Sequence, residues 1–266
     1  MSGMNPSDFS DRVAVVSGAS AGIGQALARD LLRAGARVVV SARRREPLEA
    51  LREEFGSSRV AVVAGDASLR STALTMLETA ETQFKEPPDA VIVNAGRGLR
   101  GSVSDSDTTQ WEEMVRVNLL GAAHLMREAA HRMVAMVESP GGVLDEAWQR
   151  KPRDIVVLGS TVGRHISPFS SMYGSTKFAV NSLAEALRRE IAPKGVRVTL
   201  IEPGIVRTEF QESAGYEMEG FGAFMDRVGP VLKAEDVSRT IMFCLAQPAS
   251  VHVNDVVIRP TRQEYP

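Results

Sequence analysis

Ser17 to Gly24 read SGASAGIG, set between the apolar run RVAVVS (Arg12–Ser17) and the amphipathic stretch GQALARDLLRAGA that starts at Gly24. Gly18, Gly22 and Gly24 stand at a junction where larger side chains would help to pack a core. A glycine-rich turn after a first strand lets backbone N–H groups approach a diphosphate, and the N-terminus of the next helix adds unpaired donors and a partial positive charge. The bland reading is a tight strand-to-helix turn with no ligand, and for a lone glycine motif it weighs about as much as the functional one.

Outward from that turn, short and continuously apolar runs alternate with helical patterns. RVVVS (Arg37–Ser41), RVAVVAG (Arg59–Gly65), AVIVN (Ala90–Asn94), DIVVLGS (Asp154–Ser160), RVTLIE (Arg197–Glu202) and DVVIRP (Asp255–Pro260) join RVAVVS as expected strands of a buried parallel sheet. Between them lie EPLEALREEF, TALTMLETAETQF, the long TTQWEEMVRVNLLGAAHLMREAAHRMVAMV, YGSTKFAVNSLAEALRREI and AEDVSRTIMFCLAQ, with apolar residues at helical spacing. Strand then helix, repeated, predicts an α/β fold with a doubly wound, seven-stranded parallel sheet in a single domain over residues 1–266. No internal repeat or low-complexity linker interrupts the pattern.

Composition removes several function classes. A net charge of −2, with both signs spread along the 266 residues, offers no basic stripe to nucleic acid. The single cysteine, Cys244, cannot form an intramolecular disulfide, and MSGMNPSDFS has neither the charged start nor the apolar run of a secretion signal. No apolar run is long enough to cross a bilayer, so a cytoplasmic protein without membrane, nucleic-acid or metal partners is the expectation.

The glycine spacing, GxxxGxG rather than GxGxxG, resembles that of the short-chain dehydrogenase/reductase family, whose signature is TGxxxGxG; Ser17 replaces the threonine and keeps its hydroxyl. Further matches follow in order over nearly the whole chain. VNAG (Val93–Gly96) resembles the family's NNAG with Asn94, Ala95 and Gly96 intact, MVRVNLLG supplies Asn118, LGSTVGR supplies Ser160, YGSTK is YxxxK with Tyr173 and Lys177, and EPGIVRT matches PGxxxT through Pro203, Gly204 and Thr208. The chain's end, VHVNDVVIRPTRQEYP, resembles the tails of an NADP-preferring subgroup that includes clavulanate-pathway aldehyde reductase and serine or allo-threonine dehydrogenases.

Tyr173 and Lys177 are four apart and share a helix face. A nearby ammonium favours phenolate, so Lys177 is expected to lower the pKa of Tyr173 from its ordinary value of ~10. Without the neighbouring motifs the pair would read as a half-exposed helix pair and Ser160 as a strand-end cap. The resemblance implies that Tyr173 is the general acid/base, that Ser160 holds the substrate carbonyl, that Lys177 also bonds the nicotinamide ribose, and that Asn118 helps to place a water linking Lys177 to solvent. It also implies cofactor contacts from Ser17, Gly18, Ser20, Gly22, Ile23, Gly24, Asn94, Ala95, Gly96, Pro203, Gly204 and Thr208.

Cofactor choice turns on VVVSARRRE after the second strand. Ala42 stands where an NAD-preferring fold places an acid, and Arg43, then Arg44, can meet a 2′-phosphate. NADP(H) is therefore the expected cofactor. Asp66 matches a family position that contacts adenine and could equally cap the next helix. Gln211 to Lys233, with its glycines and aromatics, suits a lid over the substrate, or a subunit interface. Glu138 to Pro152 reads as an inserted, exposed loop, with anchoring by Trp148 as the alternative. His165 and Arg97 receive no role. The reading is an NADP-dependent oxidoreductase interconverting an alcohol and a carbonyl on a small or medium-sized molecule, as a homo-oligomer, tetramer or dimer, through the long fourth and fifth helices. The alternative is a non-catalytic NADP(H)-binding regulator, whose mark would be a missing catalytic residue.

Overall fold

The computed structural model describes residues 8–137, 146–216 and 218–264. Strands β1 (Val13–Ser17), β2 (Arg37–Ala42), β3 (Val60–Ala64), β4 (Ala90–Val93), β5 (Asp154–Leu158) and β6 (Arg197–Pro203) follow one another along the chain. Two short strands, β7 (Val206–Arg207) and β8 (Leu232–Lys233), pair apart from them, and β9 (Asp255–Ile258) comes last. The large sheet is parallel throughout and runs in the order β3, β2, β1, β4, β5, β6, β9. All seven expected strands are therefore present, in one Rossmann-like domain.

The apolar runs are continuous because both faces of the sheet are covered. Val13, Val15 and Val39 face α3 (Arg70–Phe84), α5 (Ala122–Ala135) and α6 (Ser171–Ile191). Ala14, Val16, Val38 and Val40 face α1 (Gly22–Arg33), α2 (Glu46–Phe55) and the last helix, Ala234–Leu245, on the other side. Alternate strand residues thus feed two separate cores.

The long fourth helical pattern is not one regular helix. A single 3₁₀ turn (Thr108–Gln110) leads into α4 (Trp111–Val115), then a π-helical segment spans Arg116–Gly121 before α5 begins. Widened turns of this kind re-aim side chains, and Asn118 is in the middle of this one. Of the expected insertion, residues 138–145 lie outside the described residues. Glu146–Gln149 form a 3₁₀ turn whose Trp148 packs on Gly195 and against the core on the α5 and α6 side. That part of the segment is anchored rather than freely exposed, because the indole covers the gap that Gly195 leaves.

Buried charges hold the amino ends of four neighbouring strands. Arg12, just before β1, donates to Asp89 and, over 2.7 Å, to Asp154 at the start of β5, while Arg197 at the start of β6 donates to Asp154 over 2.7 Å. Arg12, Asp89, Asp154 and Arg197 are all buried. Removing one partner of such a set leaves an uncompensated charge in a low-dielectric interior. Arg12→Met should destabilise the fold by about 3–5 kcal/mol in chemical denaturation. Arg33→Met, which removes an exposed pair with Asp30, should cost under about 1 kcal/mol.

Candidate active site

Strand order reverses between β1 and β4, whose neighbours on the outer sides are β2 and β5. Such a reversal opens a crevice at the carboxyl ends of the strands. A cleft of about 560 Å³ occupies that place.

At one end the turn after β1 supplies Gly18, Ser20, Gly22 and Ile23 to the wall. Gly22 takes φ +55° beside Thr208, a left-handed conformation that a side chain disfavours. Helix α1 starts there with Ala21 as its N-cap, which provides no side-chain acceptor. The N–H groups of its first turn are therefore left for an anionic ligand. Arg43 and Arg44 follow β2 in the same wall. Arg43 pairs with Glu113 at 3.4 Å, and Arg44 with Glu209 at 3.0 Å and with the Ser20 hydroxyl at 3.5 Å. Glycine turn, uncapped helix and two arginines together fit a dinucleotide. Asp66 lines the cleft too, accepting from the Ser68 N–H at 2.8 Å; the N-cap of α3 is Leu69, so the capping reading of Asp66 is corrected.

Asn94, Ala95 and Gly96, after β4, and Pro203, Gly204 and Thr208, from the end of β6 onward, also line the cleft, with Thr208 against Gly22. Ser17 and Gly24, expected as cofactor contacts, are not in the wall. Ser17 is buried with its hydroxyl accepting from the Asn94 and Ala95 N–H groups at 3.0 and 3.1 Å, and it acts behind the surface. Asn118 is also behind the wall. Its Oδ1 accepts from the Arg97 N–H at 2.8 Å, and its amide donates to the Arg97 carbonyl at 2.9 Å and to the Thr176 hydroxyl at 3.1 Å.

Ser160, Tyr173 and Lys177 meet at the other end of the cleft. Ser160 follows β5 and caps a 3₁₀ turn, Thr161–Gly163, so its strand-end capping is real, and it also hydrogen-bonds Tyr173. Tyr173 and Lys177 share the first half of α6. The Lys177 ammonium donates to the Leu158 carbonyl at 2.6 Å and lies 5.8 Å from the Tyr173 ring centre. Burial depresses the Lys177 ammonium to about 8 and pushes the Tyr173 phenol above its ordinary value, with the Ser160 hydrogen bond opposing. In place of the expected lowering by Lys177, burial and the neighbouring Tyr216 raise the Tyr173 phenol, and the opposing influence is the Ser160 hydroxyl and not the ammonium.

Phe210, Tyr216 and Gln263 are among the wall residues that carry no sequence motif. Phe210, the first residue of α7 (Phe210–Ser213), sets its ring 5.4 Å from that of Tyr173. Tyr216 enters from the expected lid segment, hydrogen-bonded to Ser170. Gln263, near the end of the chain, accepts from the Ile205 N–H at 2.9 Å. Arg97 lines the cleft with its guanidinium turned to Glu113 and Gln110, and His165 is exposed.

The family model for short chain dehydrogenases matches residues 12–219. An uncharacterized oxidoreductase of Staphylococcus epidermidis is 30% identical over 250 residues, covering 94% of this chain and 97% of its own. Among solved structures, a serine dehydrogenase in its closed form complexed with NADP+ is similar with TM-score 0.82 and 27% identity, covering 95% of this chain and 96% of that one. An alcohol dehydrogenase from Thermococcus sibiricus complexed with 5-hydroxy-NADP gives TM-score 0.78 at 25% identity, over 96% and 99% of the two chains. A glycine turn at the reversal of the sheet, a Ser–Tyr–Lys cluster facing it and full-length relatives of one kind agree: the chain belongs to the short-chain dehydrogenase family of oxidoreductases.

Proposed function

We propose that the protein is an NADP-dependent oxidoreductase that interconverts an alcohol and a carbonyl on a small or medium-sized molecule. The observation that carries this reading is the meeting of Ser160, Tyr173 and Lys177 in a cleft whose far end holds the uncapped start of α1 and Arg43 and Arg44. Similarity to a serine dehydrogenase complexed with NADP+ supports both the cofactor and a hydroxylated substrate.

Gly18, Ser20, Gly22 and Ile23 hold the diphosphate, Arg43 and Arg44 the 2′-phosphate, and Asp66 the adenine. Asn94, Ala95, Gly96, Pro203, Gly204 and Thr208 complete the cradle, which Ser17 and Gly24 brace from behind. Bound there, the nicotinamide supplies hydride to a carbonyl carbon or takes it from an alcohol. Ser160 donates a hydrogen bond to the substrate oxygen. Tyr173 gives that oxygen a proton in reduction and removes it in oxidation. Lys177 holds the ribose, and Asn118 keeps the Arg97 backbone and Thr176 in place and helps to connect Lys177 to water. Gln211 to Lys233 serves as the lid, beginning where Phe210 covers Tyr173. The exposed apolar Leu120, Phe178 and Leu183 support assembly with further copies of the chain through the α5 and α6 side.

NADPH should bind more tightly than NADH in a fluorescence titration, because a guanidinium pairs with a phosphate through charge-assisted bonds that a hydroxyl cannot reproduce. Arg43→Ala should weaken NADPH by about tenfold or more and leave NADH nearly unchanged. Equal affinities for both nucleotides would overturn the cofactor assignment.

Tyr173→Phe should slow turnover by ~10²–10⁴ while NADPH still binds. The raised phenol sets the sign of the pH dependence. Reduction uses the neutral phenol, so its rate should not fall between about pH 7 and about pH 9 through loss of the tyrosine proton. Oxidation needs the phenolate, so its rate should climb over the same interval, by up to about tenfold per pH unit. Initial rates in both directions across that range check both statements.

A further inference from the structure

Glu202, the penultimate residue of β6, is wholly buried, and the chemistry above makes no use of it. Its carboxylate accepts hydrogen bonds from Arg164 Nε and from Asn181 Nδ2. Arg164 ends the short turn that Ser160 begins. Asn181 lies four residues beyond Lys177 on α6, hence on the same face of that helix. Glu202 itself precedes Pro203, whose carbonyl accepts from the Ser160 hydroxyl at 3.5 Å, and Gly204, part of the cleft wall.

We propose that Glu202 is a positioning residue for the reaction, a buried carboxylate that locks the Ser160 turn to the Tyr173–Lys177 helix through Arg164 and Asn181. The inference rests on the reading of Ser160 and Tyr173 as the pair that meets the substrate oxygen. Those two side chains come from different elements, joined by a segment in which His165, Ile166 and Phe169 are exposed. Their relative placement therefore depends on contacts across the fold, and Glu202 makes one to each side. A carboxylate suits the task because both of its oxygens accept, whereas a neutral amide would turn a donor towards Arg164 or Asn181. The second arm of Arg164 reaches Asp255 on β9, so the guanidinium stays partnered when Glu202 changes.

The charged and titratable groups around Glu202 are Arg164 on the turn and Asp255 on β9, with Asn181 as the polar neighbour on α6 and Lys177 engaged on the Leu158 carbonyl one turn earlier. Burial lifts the Glu202 carboxyl to about 7, with Asp255 adding to the lift and Arg164 opposing it. Near neutrality the lock is thus partly protonated, and protonation takes an acceptor from one of its two donors.

The test uses the full chain with Glu202→Gln, Arg164→Met and Arg164→Lys. It reads kcat and KM against pH, NADPH affinity by fluorescence, and melting temperature against pH. At about pH 8, Glu202→Gln should lower kcat by roughly tenfold to a hundredfold, since small misplacements of reacting groups cost that much. NADPH affinity should stay within about twofold, because no phosphate or ribose contact is touched. In the reducing direction, where the tyrosine proton imposes no slope, wild-type kcat should fall as pH drops through about 7, and the Glu202→Gln profile should be flat there. Arg164→Met should also lower kcat but keep a pH dependence, moved to higher pH because the cation that opposes the lift of Glu202 is gone, and Arg164→Lys should recover part of the loss.

Stability gives a second readout. A carboxyl raised on folding contributes stability below its unfolded pKa and loses it as pH rises through the folded value. The melting temperature of wild type relative to Glu202→Gln should therefore decline between about pH 5 and about pH 7, and the variant should be no less stable than wild type at about pH 8. An unchanged kcat and pH profile in Glu202→Gln overturns the proposal. So does a slower variant that has lost stability and NADPH affinity with its pH profile unmoved. A Tyr173→Phe enzyme at full rate overturns the reading of the site on which the proposal rests, and that failure is separable because it leaves the pH dependence of melting as expected.

Discussion

A methyl group at Gly24 would overlap the Gly18 carbonyl oxygen and the Asn94 side-chain amide, and this close approach is the constraint on which the site depends. The Asn94 amide donates to the carbonyls of Ser17 and Gly18 at 2.9 and 3.2 Å, while the Ser17 hydroxyl donates to the Ile92 carbonyl at 3.2 Å. These bonds tie the carboxyl ends of β1 and β4 together where the sheet reverses. With the two ends fixed, the first turn of α1 can point in only one direction, towards the cleft. The buried set at the opposite end of the sheet, Arg12, Asp89, Asp154 and Arg197, does for the amino ends what Ser17 and Asn94 do for the carboxyl ends. A ligand cradle made of backbone is only as rigid as the strands behind it.

At the other end of the cleft, burial rather than charge governs the chemistry. Phe210 lies on the ring of Tyr173, and Gly98 leaves room for Phe210 and Ala214 to come close. Excluding water favours the neutral form of both Tyr173 and Lys177, raising the one and lowering the other. The tyrosine therefore keeps its proton through neutral pH, which suits an acid in reduction. Lys177, near 8, retains its charge at neutrality with the Leu158 carbonyl as its partner. A spacing of four residues shows that two side chains share a face; it does not show where the ammonium points.

That distinction marks how much the sequence made legible. The seven strands, their parallel order of use, the turn at Gly18–Gly24 and the Tyr173–Lys177 pair are local patterns of period or spacing, and the structure contains each of them. The roles of Ser17, Gly24 and Asn118 behind the wall, rather than in it, depend on contacts between distant segments, which no local pattern encodes. Phe210, Tyr216 and Gln263 reach the cleft from segments without motifs. Glu202 was hidden more completely, since a carboxylate inside an apolar strand is a break in pattern whose partners, Arg164 and Asn181, lie on other elements. The signal that could have found it is the cost of burying a charge, which demands partners somewhere. The π-helical segment at Asn118 left no trace either, because its apolar spacing still reads as one amphipathic helix.

Arg43 and Arg44 bring the same balance of charge and water to the proposed phosphate end. Each already has a carboxylate partner, Glu113 for Arg43 and Glu209 for Arg44, and all four side chains are well exposed. Exposed pairs of this kind contribute only about 0–1 kcal/mol, because water competes for both charges. Exchanging a carboxylate for a phosphate therefore costs little, and the arginines are meanwhile held near the glycine turn instead of sampling solvent. A phosphate, with more charge and more acceptor oxygens than a carboxylate, makes the stronger charge-assisted bonds. A ribose hydroxyl does not, and against it the carboxylates keep their hold. In the proposed preference for NADP(H), the discrimination belongs to the competition at Arg43 and Arg44 as much as to the missing acid at Ala42, and Glu113 and Glu209 set the level that a ligand must exceed.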